Sequence, residues 1–424
     1  MCSKFNTKDI FLVPSYNLDR VIVYAPLRRV CFSVNKHTAD IFNSILSGKE
    51  SYGNQPIEVL NRIKEIQNYE YIEPHDGDAV LGADLSLILS QKCNLNCSYC
   101  YARMAHSNEV ISFEIVKRCI DYIFEYPIDK ARRFTFIGGG EPTMTWPLLK
   151  QSIEYIRSKN TNHSVYCSIV TNGTLLTKDR LLFLKKNDVR LVLSFDILEH
   201  HQNAQRPLAK QGASFGKVVK ALQWIQKYEV NCNSIRTTIT EINVSDMLSM
   251  VESIHNNYPF INLVDLEPVT DSSNTVEFYE HYIESFMKTR RYGKSVGITV
   301  YNSISSSLAS LKTRFCKREL CLTPTGDIVC CHRVSSKNDS LFNDFIIGHA
   351  DINGVALDWN KIHNMNINKS SFPECNNCFA KYNCAGGCLS ERLSVPKIHT
   401  AKCYFTKKML TLQLQEQIDS YDER

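Results

Sequence analysis

Gln91-Lys92-Cys93-Asn94-Leu95-Asn96-Cys97-Ser98-Tyr99-Cys100-Tyr101 follows the strand-like run Leu85–Ser90, and the expected architecture hinges on this loop. The spacing is C-x3-C-x2-C, with an aromatic residue before the last cysteine. A loop can wrap three thiolates around one cubane cluster at this spacing. Three ligands for four irons leave one iron open, whereas clusters used only for electron transfer normally carry four cysteines. Zinc is the competing occupant, but structural zinc sites prefer a closed set of four ligands. No fourth ligand lies nearby in the sequence.

Around this loop the chain alternates strand and helix. Strand-like runs at Leu85–Ser90, Arg133–Ile137, Val165–Thr171, Val189–Phe195, Ser234–Thr240 and Asn262–Pro268 are separated by helical patterns. Those patterns lie near Phe113–Phe124, Trp146–Arg157, Lys178–Lys186, Phe215–Tyr228, Val244–His255 and Val276–Arg290. Six such units predict an α/β fold with a parallel sheet and right-handed crossovers. They are too few for a full eight-stranded barrel and enough for a partial (β/α)6, TIM-like one. Active groups in such barrels sit at the C-terminal ends of strands. At the end of the second strand stands Phe136-Ile137-Gly138-Gly139-Gly140-Glu141-Pro142. Glycines let backbone approach a ligand closely, and a carboxylate with backbone carbonyls can accept from an ammonium group.

Taken together, these two motifs resemble the radical S-adenosylmethionine (SAM) superfamily. The resemblance implies that Cys93, Cys97 and Cys100 hold a 4Fe-4S cluster whose open iron chelates SAM. Electron transfer into SAM would then give methionine and a 5′-deoxyadenosyl radical that abstracts hydrogen from an unactivated C–H bond. It implies cofactor contacts at Tyr99, Gly139, Gly140, Glu141 and Pro142. Further contacts fall at Asn172 after strand three, Ser194 and Asp196 after strand four, and Arg206, whose planar fork suits a carboxylate. Thr238 and Glu267 end strands five and six. The general base or hydrogen donor is not named by any motif; Asp265, Glu267 and Cys330 are candidates by position.

The chain holds 17 cysteines, and eleven of them fall in three groups. Clustering without a signal-like start argues for metal or redox chemistry rather than a disulfide scaffold. Beyond the first group stand Cys316, Cys321 and Cys331, with Gly326 between, and then Cys375, Cys378, Cys384, Cys388 and Cys403. This pattern resembles the SPASM extension of radical SAM enzymes, which binds two auxiliary 4Fe-4S clusters. Carried over, one cluster takes Cys316, Cys331 and Cys388, and the other takes Cys375, Cys378, Cys384 and Cys403. Two readings stand for Cys321: a fourth ligand to the first of these, or a strand residue that leaves that cluster with an open iron. Cys330 could exchange roles with Cys331. A pair of zinc sites is the alternative occupant of these spacings.

Three domains follow: 1–80, 81–295 and 296–424. In the first, Ile10–Val13 and Arg20–Tyr24 read as strands split by a turn at Asn17-Leu18-Asp19. Helical stretches follow at Lys36–Leu46 and Pro56–Glu65, the first stopped at Ser47-Gly48-Lys49. Strand, strand, helix, helix resembles the winged-helix-like domain that recognises leader peptides in ribosomal-peptide maturases; a plain N-terminal cap on the barrel is the other reading. In the third, Leu322–Val329 predicts a hairpin turning at Pro324-Thr325-Gly326-Asp327, and Phe405–Ile418 a terminal helix.

The expectation is a radical SAM/SPASM peptide maturase. It would act on a ribosomally made precursor peptide, giving a thioether, carbon–carbon or ether cross-link, or an epimerised residue. A reducing system such as flavodoxin or ferredoxin would supply electrons. The alternatives are an anaerobic sulfatase-maturating enzyme that forms formylglycine, and a zinc-stabilised winged-helix binding protein. The net charge of +5 on 424 residues is too weak to imply nucleic-acid binding. No apolar run reaches the roughly 18–20 residues of a membrane span. These readings point to a soluble cytoplasmic protein.

Overall fold

The computed structural model describes residues 9–16, 19–47, 56–74, 83–159, 162–270, 274–306, 310–315, 319–367, 372–394 and 399–422. Cys2, Cys316, Gly48-Lys49 and the Asn17-Leu18 part of the expected turn lie outside them.

The N-terminal unit is an antiparallel three-stranded sheet followed by two helices. Its strands are β1 (Phe11–Pro14), β2 (Arg20–Ala25) and β3 (Val30–Asn35); its helices are α1 (Lys36–Leu46) and α2 (Ile57–Asn68). Strand β3 corrects the expected strand–strand–helix–helix order. Its sequence, Val30-Cys31-Phe32-Ser33-Val34-Asn35, alternates as a strand does, but it runs straight into α1. Asn35 caps that helix by accepting from Thr38 N at 2.8 Å, and this cap fixes the boundary.

Successive side chains of a strand point to opposite faces, and β2 uses both. Val23 and Ala25 pack with Phe42, Ile45, Val59 and Ile63 of the two helices. Ile22 and Tyr24 pack with Leu410, Leu414 and Ile418 of the C-terminal helix, His399–Asp422. Tyr24 Oη donates to Asn383 Oδ1 at 2.9 Å. The unit therefore docks on the C-terminal region.

The barrel strands are β4 (Asp84–Leu87), β5 (Arg132–Phe136), β6 (Val165–Thr171), β7 (Val189–Ser194), β8 (Ser234–Ile239) and β9 (Leu263–Pro268). They pair in parallel and in sequence order. The crossovers are α3 (Phe113–Glu125), α4 (Trp146–Ser158), α5 (Lys178–Lys186), α6 (Glu199–Gln205) with α7 (Phe215–Tyr228), α8 (Met247–Asn257) and α9 (Val276–Ser295). The six expected units stand. Helix α6 is an addition, too short and too polar (Glu-His-His-Gln-Asn-Ala-Gln) to show apolar periodicity. The parallel run also continues past residue 295, because β10 (Thr299–Tyr301) pairs with β9.

Buried parallel strands usually read as unbroken apolar runs. These alternate instead. In β7, Val189, Leu191 and Leu193 are buried against the helices, whereas Arg190 is exposed and Ser194 lines a cavity. The lumen of the open barrel is polar because it encloses a site rather than a core.

The other edge of β4 is occupied by the C-terminal region. β11 (Leu320–Leu322) pairs with β4 in parallel, and β12 (Asp327–Val329), β13 (Ile346–Asp351) and β14 (Gly354–Leu357) follow antiparallel. One eleven-stranded sheet results. The hairpin is as expected, with Gly326 at φ +83° in its turn. Only glycine adopts that conformation readily.

Candidate active site

The loop after β4 is fixed before any ligand is considered. Asn96 N donates to Pro207 O and Ser98 N to Gln205 O, each at 2.9 Å, while Ala209 N donates to Asn94 O at 2.9 Å. Glu141 N donates to Lys92 O at 2.7 Å, and Tyr101 Oη donates to Gly138 O at 2.8 Å. Cys93, Cys97 and Cys100 line one cavity of about 570 Å³. They are free thiols.

The glycines of the second motif are required by closeness. A Cβ on Gly139 would lie 1.6 Å from Gln91 Oε1, and one on Gly140 would lie 2.1 Å from Lys92 O. The two loops therefore meet at close quarters, with Gly139, Gly140 and Glu141 on the cavity wall.

Besides lining the cavity, Glu141 braces it. Its Oε1 accepts from Thr143 N at 3.0 Å, Thr143 Oγ1 at 2.5 Å and Thr171 Oγ1 at 2.6 Å; its Oε2 accepts from Asn172 N at 2.8 Å. The carboxylate is a strut joining the ends of β5 and β6, and it caps the turn that begins at Pro142. Asn172 is similarly engaged: its Nδ2 donates to Asn94 Oδ1 at 3.0 Å, and its Oδ1 accepts from Thr174 N at 3.0 Å. Asn94, inside the cysteine loop, is a residue that motif reading missed; asparagine there has no distinctive spacing.

Asp196 is fully buried and off the cavity wall. Tyr99 Oη donates to its two oxygens at 3.0 and 2.9 Å, Arg206 Nε donates at 3.1 Å and Gln205 Nε2 at 3.3 Å. Burial pushes its carboxyl up, and the Arg206 guanidinium opposes this. Asp196 thus positions Tyr99 and Arg206, which do line the cavity with Ser194. Arg206 also lies over the Tyr99 ring, 5.2 Å from its centroid. Pro142 is likewise buried and off the wall.

Of the proton-handling candidates, Glu267 and Cys330 line the cavity, as does Thr238. Both Glu267 oxygens accept from Ser303, from N at 2.8 Å and from Oγ at 2.7 Å. Asp265 points into the lumen two residues earlier and is not on the wall. Burial pushes its carboxyl up to about 7, opposed by Arg236 at 3.6 Å.

The C-terminal cysteines reach the same cavity. Cys388 lies near enough to Cys331 to raise that thiol's pKa, and Cys375, Cys378 and Cys403 lie near enough to Cys384 to raise its own. All six line the wall. Cys321 does not: it is fully buried, pairs across the hairpin with Val329, and packs with Ile88, Phe342 and Phe345. Glu391, another residue without a motif, ties the regions together. It accepts from Thr270 Oγ1 at 2.8 Å and Arg333 Nη1 at 3.2 Å, and lies 3.9 Å from Lys402 Nζ.

Clustered thiols on one cavity wall are the donor type that iron–sulfur clusters take. Burial pushes Cys93, Cys330 and Cys384 up to about 12 and Cys331 to about 11. Ligation requires these thiols to lose their protons, which burial alone disfavours, so a metal held there must supply the compensating interaction.

Residues 87–254 match the Radical SAM superfamily. Over those residues the chain carries a radical SAM domain. Among curated relatives, the radical SAM chain is 23% identical over 332 residues to a cysteine-type anaerobic sulfatase-maturating enzyme of Clostridium novyi, covering 70% of this chain and 85% of that one. It is 22% identical over 369 residues to the radical SAM cyclopropyl synthase TigE of Paramaledivibacter caminithermalis, covering 78% and 74%. Among solved structures it is similar to native anSMEcpe with bound AdoMet, at a TM-score of 0.65 and 19% identity, covering 80% of this chain and 99% of that one. It is also similar to Streptococcus suis SuiB bound to precursor peptide SuiA, at a TM-score of 0.55 and 14% identity, covering 92% and 97%. At these identities the structural likeness is one of fold. Among the described residues, no helix is long and apolar enough to cross a membrane.

Proposed function

We propose that this radical SAM enzyme is a peptide maturase with a SPASM-type C-terminal domain. The observation that carries the reading is a single cavity lined by cysteines of the barrel loop and of the C-terminal region. Cys93, Cys97 and Cys100 would hold the SAM-binding cluster. Cys331 and Cys388 with Cys316, and Cys375, Cys378, Cys384 and Cys403, would hold two auxiliary clusters. When bound, the SAM-binding cluster and SAM supply the radical chemistry.

The chain's own residues bind and orient. The Gly139–Gly140 backbone offers a close wall for the methionine end of SAM. Arg206, with its Nε committed to Asp196, presents a buried cation for a carboxylate. Glu267 and Ser303 face the substrate space and can hold a proton there. Cys321, sealed in the hairpin, stays a strand residue, so the first auxiliary site keeps a position for substrate or for Cys330.

Two features support a ribosomally made peptide as substrate. The SuiB likeness spans 92% of the chain, against 80% for the sulfatase-maturase likeness. The N-terminal sheet has β1 and β3 as its edges, each paired only with β2 among the described residues. Such an edge can take an added strand from a leader segment. The bond formed would be a cross-link or an inverted centre. Formylglycine formation is the second reading, favoured by the sulfatase-maturase relatives. A ferredoxin- or flavodoxin-class reductant in the cytoplasm would complete the system.

The test is protein reconstituted anaerobically, reduced and given SAM, with 5′-deoxyadenosine and iron measured in parallel. Formation of 5′-deoxyadenosine with iron for about three cubanes supports the reading. Absence of 5′-deoxyadenosine, with zinc in place of iron, overturns it.

A further inference from the structure

His200, His201 and Asp246 lie off the cavity wall and outside the machinery of the proposed reaction. On α6, His201 Nε2 lies 2.8 Å from Asp246 Oδ2, and His200 Nε2 lies 4.0 Å from the same oxygen. The three donor atoms all lie within 4.8 Å of one another. The two imidazoles are 4.0 Å apart by ring centroid. The His201 side chain is 4% exposed, Asp246 is 42% and His200 69%. One donor is thus locked in the protein and two meet it from the solvent side.

A buried histidine satisfied by a carboxylate accounts for His201 and Asp246. It leaves His200, in ring contact with His201, aimed at the same carboxylate without a hydrogen bond to it. Neighbouring residues of a helix diverge by about 100° around its axis, yet these two side chains turn toward one oxygen. At 4.0 Å, His200 makes no hydrogen bond to it.

We propose that His200, His201 and Asp246 form a binding site for a zinc-class divalent cation. Two imidazole nitrogens and a carboxylate oxygen are donors suited to zinc and its neighbours. Bonds of about 2.0–2.1 Å in a tetrahedron place ligand atoms about 3.3 Å apart. The observed 2.8 and 4.0 Å straddle that spacing, so small rotations of exposed side chains complete the site. A fourth position is left for water. His281 reaches the same turn, with Nε2 3.2 Å from Ser245 Oγ.

The site has a structural consequence. Helix α6 turns Gln202 and Gln205 to Asp196 and delivers Arg206 to the cofactor pocket. The cation would clamp α6 to the Val244–Asp246 turn that precedes α8.

The experiment uses holoenzyme carrying its iron–sulfur clusters, freed of loose metal, given one equivalent of Zn²⁺ under nitrogen and desalted. Retained zinc is counted, its affinity is measured by calorimetry, and its shell is read by zinc-edge X-ray absorption. The expected result is about one zinc per chain with nitrogen and oxygen at about 2.0–2.1 Å. His200→Gln, at an exposed position, and Asp246→Asn should each weaken binding by roughly tenfold or more, with iron content unchanged. No retained zinc, sulfur at about 2.3 Å in the shell, or wild-type affinity in both variants overturns the proposal.

Discussion

The two cysteine-bearing regions are held in different ways. The barrel loop is fixed from afar: Asn94, Asn96 and Ser98 exchange backbone hydrogen bonds with residues 205–209, and Lys92 with Glu141. The C-terminal cysteines sit in local turns. Cys375 N reaches Phe372 O, Cys378 N reaches Cys375 O, and Cys384 N reaches Ala380 O. Around those turns, one backbone bond from afar, Lys312 N to Tyr382 O at 2.8 Å, is joined by charge. Arg392 Nη2 meets Glu374 at 2.7 Å, its Nη1 meets Cys375 Sγ at 3.8 Å, and its guanidinium lies over Phe372. Fold therefore pre-forms the first site. The second has elements whose mutual placement metal binding would complete, because binding free energy at such a site is folding free energy.

The largest effect expected is at the first loop. Cys97→Ala should reduce 5′-deoxyadenosine formation to background while leaving the Tm within a few degrees. Full turnover by this variant would remove the distinction between the regions. Next, if the proposed three clusters are present, Cys375→Ala should cost about a third of the iron. It should lower the Tm and stop peptide modification, yet retain 5′-deoxyadenosine formation; loss of both activities together would show the sites to be coupled.

Iron removal separates the regions directly. In iron-free protein, hydrogen exchange should be fast across 372–394 and remain slow at Asn96, Ser98 and Ala209. Equal protection in both would erase the difference.

Asp196→Asn tests how the barrel site is held from behind. It leaves the buried Arg206 without its counter-charge and removes an acceptor from Tyr99. The KM for SAM should rise about tenfold, which is about 1.4 kcal/mol, with iron content intact. An unchanged KM would separate Arg206 from SAM recognition.

The smallest effect concerns the lumen. Asp265 keeps its proton to about 7 in the fold, against 3.8 ordinarily. The folded state binds more protons than the unfolded one, so this contribution is fully present below about pH 4. It is lost as pH rises through 7. Asp265→Asn should raise the Tm at pH 8 by a few degrees and flatten its decline between pH 4 and 7. A Tm that falls instead would mean that the ionised pair with Arg236 is net stabilising.

Much of the fold was legible in the sequence. The six barrel strands are found within a few residues of their expected places, because apolar residues on alternate positions are what a half-lined lumen requires. Strand β3 and helix α6 were not legible. The first was hidden in a continuous Val30–Phe42 segment whose break depends on one capping side chain. The second has no apolar stripe, since its polar residues are consumed by Asp196, Asp246 and Ser214.

Cysteine and glycine spacing was enough to point to a radical SAM domain, because thiolate ligation and backbone approach depend on residue type along a short loop. What the acidic residues do emerged only from the folded chain. Glu141 and Asp196 read as cofactor contacts in a linear motif; in the fold Glu141 lines the cavity and also ties two strands, while Asp196 lies behind the wall. A side chain's hydrogen-bond partners come from segments dozens of residues away, and no local pattern records them. The same reason hid the link between Glu391, Thr270 and Arg333, and the convergence of His200 and His201 on Asp246.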